Sequence, residues 1–158
     1  LHLKFTETSL MANVNQLVGR DWSLGAWYRV SDADLIQRWV DVPATNVFQA
    51  YQKDSGVLHQ LGLSARWTHP TGFFGEAQGV WYAQHSSQVN SLVLPVTVPD
   101  ENFWQFNLFA GYRFWKRRAE VLVGGLNLTD QNYRLNPVNA YAELPRGRTL
   151  SIAFKFAF

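Results

Sequence analysis

The last ten residues, Thr149 to Phe158, alternate apolar and small or polar positions without interruption. Side chains along a strand alternate faces with period two. Leu150, Ile152, Phe154, Phe156 and Phe158 therefore share one face, and Thr149, Ser151, Ala153, Lys155 and Ala157 share the other. A soluble strand seldom leaves such an aromatic row exposed. A strand with one face in lipid and one in a polar lumen requires it.

The same pattern recurs upstream. Trp104, Phe106, Leu108, Ala110, Tyr112 and Phe114 alternate with Gln105, Asn107, Gly111 and Arg113, Phe109 being the exception. Residues 104–114 match the roughly 9–11 that a tilted strand needs to cross a bilayer. Trp22 to Ser31, Leu61 to Thr68, Phe73 to Gln84 and Leu10 to Asn15 read alike. Ala119 to Leu128 is apolar on both faces and has no clean parity. Leu1, Leu3 and Phe5 have the opposite parity to Leu10, which predicts a bulge or loop between them.

The connections alternate in length. Residues 18–21, 69–72 and 116–118 are tight; 39–57, 86–102 and 129–146 are long. Short turns at one end and long loops at the other are the habit of outer-membrane barrels. The expectation is an all-β, antiparallel transmembrane β-barrel segment of about seven strands over residues 1–158. Its long loops would be extracellular and its C-terminus periplasmic. The outward aromatics then sort into two girdles. Trp22, Trp67, Phe73, Phe114 and Phe158 fall at the periplasmic end, and Tyr28, Trp81 and Trp104 near the outer end. Bacterial barrels usually have an even strand number, so seven points to part of a larger barrel or to a hidden eighth strand.

Composition fits this reading. Mean hydropathy is −0.18, as expected when lumen-facing residues offset lipid-facing ones. No run approaches the roughly 18 apolar residues of a membrane helix. Aromatics make up 15% of the chain, with 7 Trp, a residue favoured at membrane–water interfaces. There is no Cys, hence no disulfide framework. The net charge of +2 is scattered apart from Lys116-Arg117-Arg118, so a nucleic-acid surface is not expected. Leu1-His2-Leu3-Lys4-Phe5 has no signal-peptide character, so the chain is expected to be mature, truncated or a fragment.

Candidate chemistry is sparse. The four histidines show no metal-ligand spacing, and no catalytic, metal or cofactor site is expected. His85-Ser86-Ser87 and the pair Asp32 and Asp34 read as polar strand ends; a Ser–His hydrolytic pair or a carboxylate pair is the sharper alternative. Arg29, Arg66, Glu76, Arg113 and Lys155 fall on the lumen face, where they would meet a plug or line a channel. Trp39, Phe48, Tyr51, Tyr133 and Tyr141 fall in the long connections, where aromatics can stack on a ligand or cover the rim.

The C-terminal third resembles the end of TonB-dependent outer-membrane receptors. The likeness is carried by Gly125-Leu126-Asn127-Leu128-Thr129-Asp130 with Tyr133, by Gly147-Arg148, and by the terminal aromatic strand. In that family an Asn-Leu-(Phe or Thr)-Asp element followed by Tyr ends the penultimate strand, and Gly-Arg opens the last. Gly147 would suit a tight strand entry. The resemblance covers roughly residues 119–158. It implies a barrel of about 22 strands with an N-terminal plug, neither the plug nor the TonB-contacting segment having a counterpart here. It also implies uptake of a scarce ligand such as a ferric siderophore, cobalamin or an oligosaccharide. The implied partners are outer-membrane lipid, the remaining strands and plug of the same receptor, the TonB complex, and the barrel-assembly machinery that reads the terminal aromatic row. A small ligand of unknown identity completes the set. A passive porin or secretion barrel, a self-contained eight-stranded barrel and an outer-membrane hydrolase remain as alternatives.

Overall fold

The computed structural model describes residues 1–39, 51–89, 100–116, 118–133, 135 and 147–157. Among them there is no helix. Seven strands form one sheet: β1 His2–Val18, β2 Trp22–Arg38, β3 Tyr51–Thr68, β4 Phe73–Val89, β5 Glu101–Phe114, β6 Ala119–Leu126 and β7 Thr149–Phe156. Their order is β1 to β7 in sequence, each antiparallel to the next. This meander is the simplest outcome of successive hairpins. The sheet is open. β1 and β7 are its edges, and both are exposed from end to end.

Three expectations change. No bulge separates Leu3 and Phe5 from Leu10: β1 pairs with β2 without a break from His2↔Arg38 to Val18↔Trp22. The parity flips because the polarity of the two faces changes along the strand. Lys4, Thr6 and Thr8 share a face with Asp32 and Asp34, while Leu3 and Phe5 sit opposite Gln37 and Leu35. Two of the three long connections are also shorter than expected, while the third, between Leu126 and Thr149, is longer. β3 begins at Tyr51, which pairs with Arg38, and β4 runs through Ser86 and Ser87. Strand pairing there overrides the polar composition. Finally, β6 acquires a parity from its neighbours. Ala119, Val121, Val123 and Gly125 pair with Phe156, Phe154, Ile152 and Leu150.

The tight turns have local causes. Gly19 and Gly72 adopt positive φ. At Gly72 a Cβ would also strike the Arg113 carbonyl oxygen, so no other residue fits. Trp115 and Lys116 adopt positive φ too, a conformation that costs an L-residue roughly 1–2 kcal/mol.

Candidate functional site

The register carries the alternation across the whole sheet. One face holds Leu10, Val14, Trp22, Leu24, Ala26, Tyr28, Leu61, Leu63, Trp67, Phe73, Ala77, Trp81, Trp104, Phe106, Leu108, Tyr112, Phe114, Val121, Val123, Leu150, Ile152, Phe154 and Phe156. The other holds Arg29, Arg66, Glu76, Gln78, Gln105, Asn107, Arg113, Glu120, Ser151 and Lys155. The exposure is the inverse of a soluble protein's. Leu63, Phe106, Leu108, Val123 and Phe154 are exposed, whereas Asn107, Gln84, Ser31 and Asp54 are buried. Large exposed apolar patches mark an interaction surface.

Aromatics border this apolar face at both heights. Trp22 and Trp67 are direct cross-strand partners beside the short turns, with the Phe73 ring 4.5 Å from that of Tyr112. Trp81 and Trp104 are direct partners toward the other end. There the Trp81 indole N–H donates to Asn102 Oδ1 at 2.8 Å, and Tyr28 Oη lies 2.7 Å from His59 Nδ1. Beyond that row the same face turns polar. Lys53 pairs with Asp34 at 3.1 Å, and His85 pairs with Asp100 at 2.8 Å. Arg38 lies over the Tyr51 ring at 5.4 Å. The apolar face is thus a band with an aromatic upper and lower limit.

The polar face is knit together by ion pairs and hydrogen bonds, although Gln105 Oε1 is buried without a hydrogen-bond partner among the described residues. Arg29 pairs with Glu7 at 2.9 Å, Arg66 with Glu76 at 3.9 Å and Arg113 with Glu120 at 2.7 Å. Each arginine expected to reach a plug or channel already has a carboxylate on a neighbouring strand. Hydrogen bonds extend the chain inward. Gln78 Nε2 donates to Glu76 at 2.6 Å, Asn107 Nδ2 to Gln78 Oε1 at 3.4 Å, and Gln105 Nε2 to Asn107 Oδ1 at 3.0 Å. Three aromatics lie flat over glycines on this face. A Cβ at Gly62 would strike the Trp27 indole, and one at Gly111 the Phe74 ring. A Cβ at Gly124 would come 2.6 Å from Phe109 Cδ1, which accounts for Phe109 breaking the alternation. Phe74 also lies beneath Arg113, whose guanidinium carbon is 4.4 Å from the ring centre. These interlocked pairs fix the register.

The β6–β7 connection brings the motif residues together. Asn127 is buried and its backbone N–H donates to Asn107 Oδ1 at 3.0 Å. Its side chain clamps Gln131, donating to the carbonyl at 2.8 Å and accepting from the N–H at 2.9 Å. Asn127 and Asp130 both take positive φ, which Asn and Asp tolerate best among non-glycine residues. Asp130 Oδ1 accepts the Arg148 N–H at 2.9 Å, and the Arg148 guanidinium lies 3.8 Å from Oδ2. Asp130 therefore anchors the entry to β7. Gly147 has no steric need to be glycine, since an added Cβ meets Asp130 Oδ1 at an ordinary 3.7 Å. Leu128 returns its N–H to the Phe106 carbonyl at 2.9 Å.

The loop aromatics divide. Tyr133 stacks on Phe103 at 4.7 Å, and Phe103 on Tyr82 at 5.2 Å, so Tyr133 packs against its own sheet. Tyr51 is a strand residue, and Trp39 is half-buried just past β2. Phe48 and Tyr141, like Phe158 and Arg117, lie outside the described residues. Asp32 and Asp34 share a face, and Asp34 is occupied by Lys53. Asp100 accepts the Ser86 N–H at 3.1 Å as well as the His85 contact. These bonds, the Ser86 one foremost, hold its carboxyl below the ordinary carboxylate range. They tie the end of β4 to the start of β5. Glu7, Glu120 and Trp27 were silent in the sequence, because their partners lie on other strands at distances only the register sets. No group of three or more His, Cys, Asp or Glu residues that could hold a metal occurs among the described residues.

Comparison with protein-family models, with curated proteins and with solved structures returns no match to this chain.

Proposed function

We propose that this chain is a wall segment of a bacterial outer-membrane β-barrel, the C-terminal part of a TonB-dependent receptor that takes up a small ligand. The observation that carries the reading is the inverted sheet: an exposed apolar band bounded by aromatics, backed by a packed polar face. Band height agrees with a bilayer. Residues 104–114 span about 33 Å at roughly 3.3 Å per residue, and about 25 Å in height at a tilt near 40°. Strands that continue past the upper aromatic row with polar residues on both faces suit a barrel that rises above the membrane. The polar face would line the lumen, short turns would face the periplasm, and long connections the exterior.

The receptor assignment, as opposed to a porin or secretion barrel, rests on the Asn127-to-Tyr133 and Gly147-Arg148 resemblance. In this reading the segment acts in transport rather than catalysis. The test is the intact mass and peptide coverage of the protein in a purified outer-membrane fraction. A mass several times 18.1 kDa, with plug-like peptides upstream of Leu1, is expected. A mass near 18.1 kDa would overturn the receptor reading and leave a small barrel.

A further inference from the structure

The up-and-down order puts the three short turns, residues 19–21, 69–72 and 115–118, at one end of the sheet. They lie side by side. The Thr68 N–H donates to the Asp21 carbonyl at 2.8 Å, and the Arg113 N–H to the Gly72 carbonyl at 2.9 Å. Their sequences carry Arg20, Lys116, Arg117 and Arg118 against one acid, Asp21. At the opposite end acids outnumber lysines and arginines among the described residues, with Asp32, Asp34, Asp54, Asp100 and Asp130 gathered there.

The turn cations also lack carboxylates. Arg29, Arg66 and Arg113 on the polar face, and Lys53 and Arg148 at the far end, each have an acidic partner. Arg20, Lys116 and Arg118 are exposed. Among the described residues none of these three has an ion pair.

Aromatics mark the depth of this rim. Trp115 is 70% exposed. Its ring lies 5.7 Å from that of Phe114 and 6.4 Å from that of Phe156, so it stands on the side of the apolar band. A Trp with one wet and one apolar end suits the level of lipid headgroups. His69 is placed alike, its ring 5.5 Å from that of Trp67. Between the first two turns Arg20, Asp21, Thr68, His69, Phe73 and Arg113 help to line an open cleft of about 320 Å³, which admits a phosphodiester headgroup. Basic groups just beyond the edge of an apolar band are attracted to an anionic lipid surface.

Resting on the membrane reading above, we infer that the short-turn rim selects anionic phospholipid headgroups of the phosphatidylglycerol class. Arg20 holds a headgroup phosphate at the cleft, Lys116 and Arg118 hold neighbouring ones, and Trp115 sets their depth. The far end, with its excess of acid, makes no such selection, so the preference belongs to one leaflet.

The test uses the 158-residue chain in phosphatidylcholine vesicles, with a trace of phosphatidylglycerol or phosphatidylcholine carrying a nitroxide deep on one acyl chain. The fraction of label immobilised by the protein gives the relative association of the two lipids. Phosphatidylglycerol is expected to associate about fivefold more strongly, the scale of a single basic contact at an anionic surface. The triple change Arg20→Gln, Lys116→Gln and Arg118→Gln should bring the two lipids level. The triple change Lys4→Gln, Arg38→Gln and Lys53→Gln at the far end should leave the preference intact. Level association in the unaltered chain, a preference that survives the first triple change, or its loss in both variants would overturn the inference. Inorganic phosphate that displaces labelled phosphatidylglycerol more than chloride does at equal ionic strength would assign the rim to a soluble anion and overturn it as well. If the chain immobilises neither lipid, the membrane reading itself fails.

Discussion

Asn107 and Leu108 are neighbours on β5, and their environments are reversed from those of a soluble sheet. Leu108 is 54% exposed, while Asn107 is 7% exposed and bonded to Gln78, Gln105 and Asn127. In a water-soluble sheet the apolar face is packed and the polar face hydrated. Here many polar groups bond one another, and the apolar face is left exposed. Satisfied polar networks hold a sheet in one register; they do not provide the burial that would stabilise it in water. On the membrane reading proposed above, the stabilising burial comes from the surroundings of the apolar band.

The comparison breaks most directly at Leu108. Leu108→Arg puts a charge in the middle of the band and should destabilise the lipid-inserted state by about 2–4 kcal/mol. Urea titration of the chain in vesicles reads this, and an effect near zero would place Leu108 in water. On the other face, Gly62→Val drives a side chain into Trp27 and should cost about 1–3 kcal/mol. Adding Trp27→Ala should recover part of that loss in the same titration, because the collision is with the indole.

Smaller effects sharpen the picture of the polar face. Glu120→Gln leaves the half-buried Arg113 guanidinium without its carboxylate and should cost about 1–3 kcal/mol. Neutralising both members should cost less than either single change, which a double-mutant cycle would show. The smallest effect belongs to Asp100, outside the band. Its folded carboxyl titrates below the ordinary range, so its contribution is present above the unfolded pKa of about 3.9 and is lost as pH falls through the folded value. Stability measured from pH 6 down to pH 3 should show a slope at the acid end that Asp100→Asn removes.

Much of the fold was legible because the chain repeats one period. Alternation marked most of the seven strands, and the alternation of short and long connections pointed to the up-and-down order. The faces of Trp22, Trp67, Trp81, Trp104 and Phe114 follow from parity alone, and the register agrees with them. The signal weakened where polarity stopped alternating. Leu1 to Phe5 suggested a bulge because the chain leaves the apolar band there and its outward face becomes polar. Tyr51 and Ser86 were assigned to loops because strand ends above the band resemble loops in composition. β6 had no parity of its own and received one from β5 and β7. Phe109 was an anomaly until its ring was found over Gly124, a contact between residues 15 apart in sequence that no local pattern encodes. Asn127 and Asp130 stood out by resemblance, but their work at the entry to β7 depends on positive φ and on Arg148, which only the fold brings near.

The central claim is that one face of this sheet meets lipid and the other does not. The chain has no cysteine, so single Leu63→Cys and Ser64→Cys variants can each carry one nitroxide at mid-depth on opposite faces of β3. The measurement is their relative accessibility to oxygen and to a water-soluble nickel chelate in phosphatidylcholine vesicles. The account predicts that the label at Leu63 is relaxed by oxygen and shielded from nickel, with the label at Ser64 showing the lower oxygen-to-nickel ratio. Equal ratios at the two sites, or a reversed order, would contradict it.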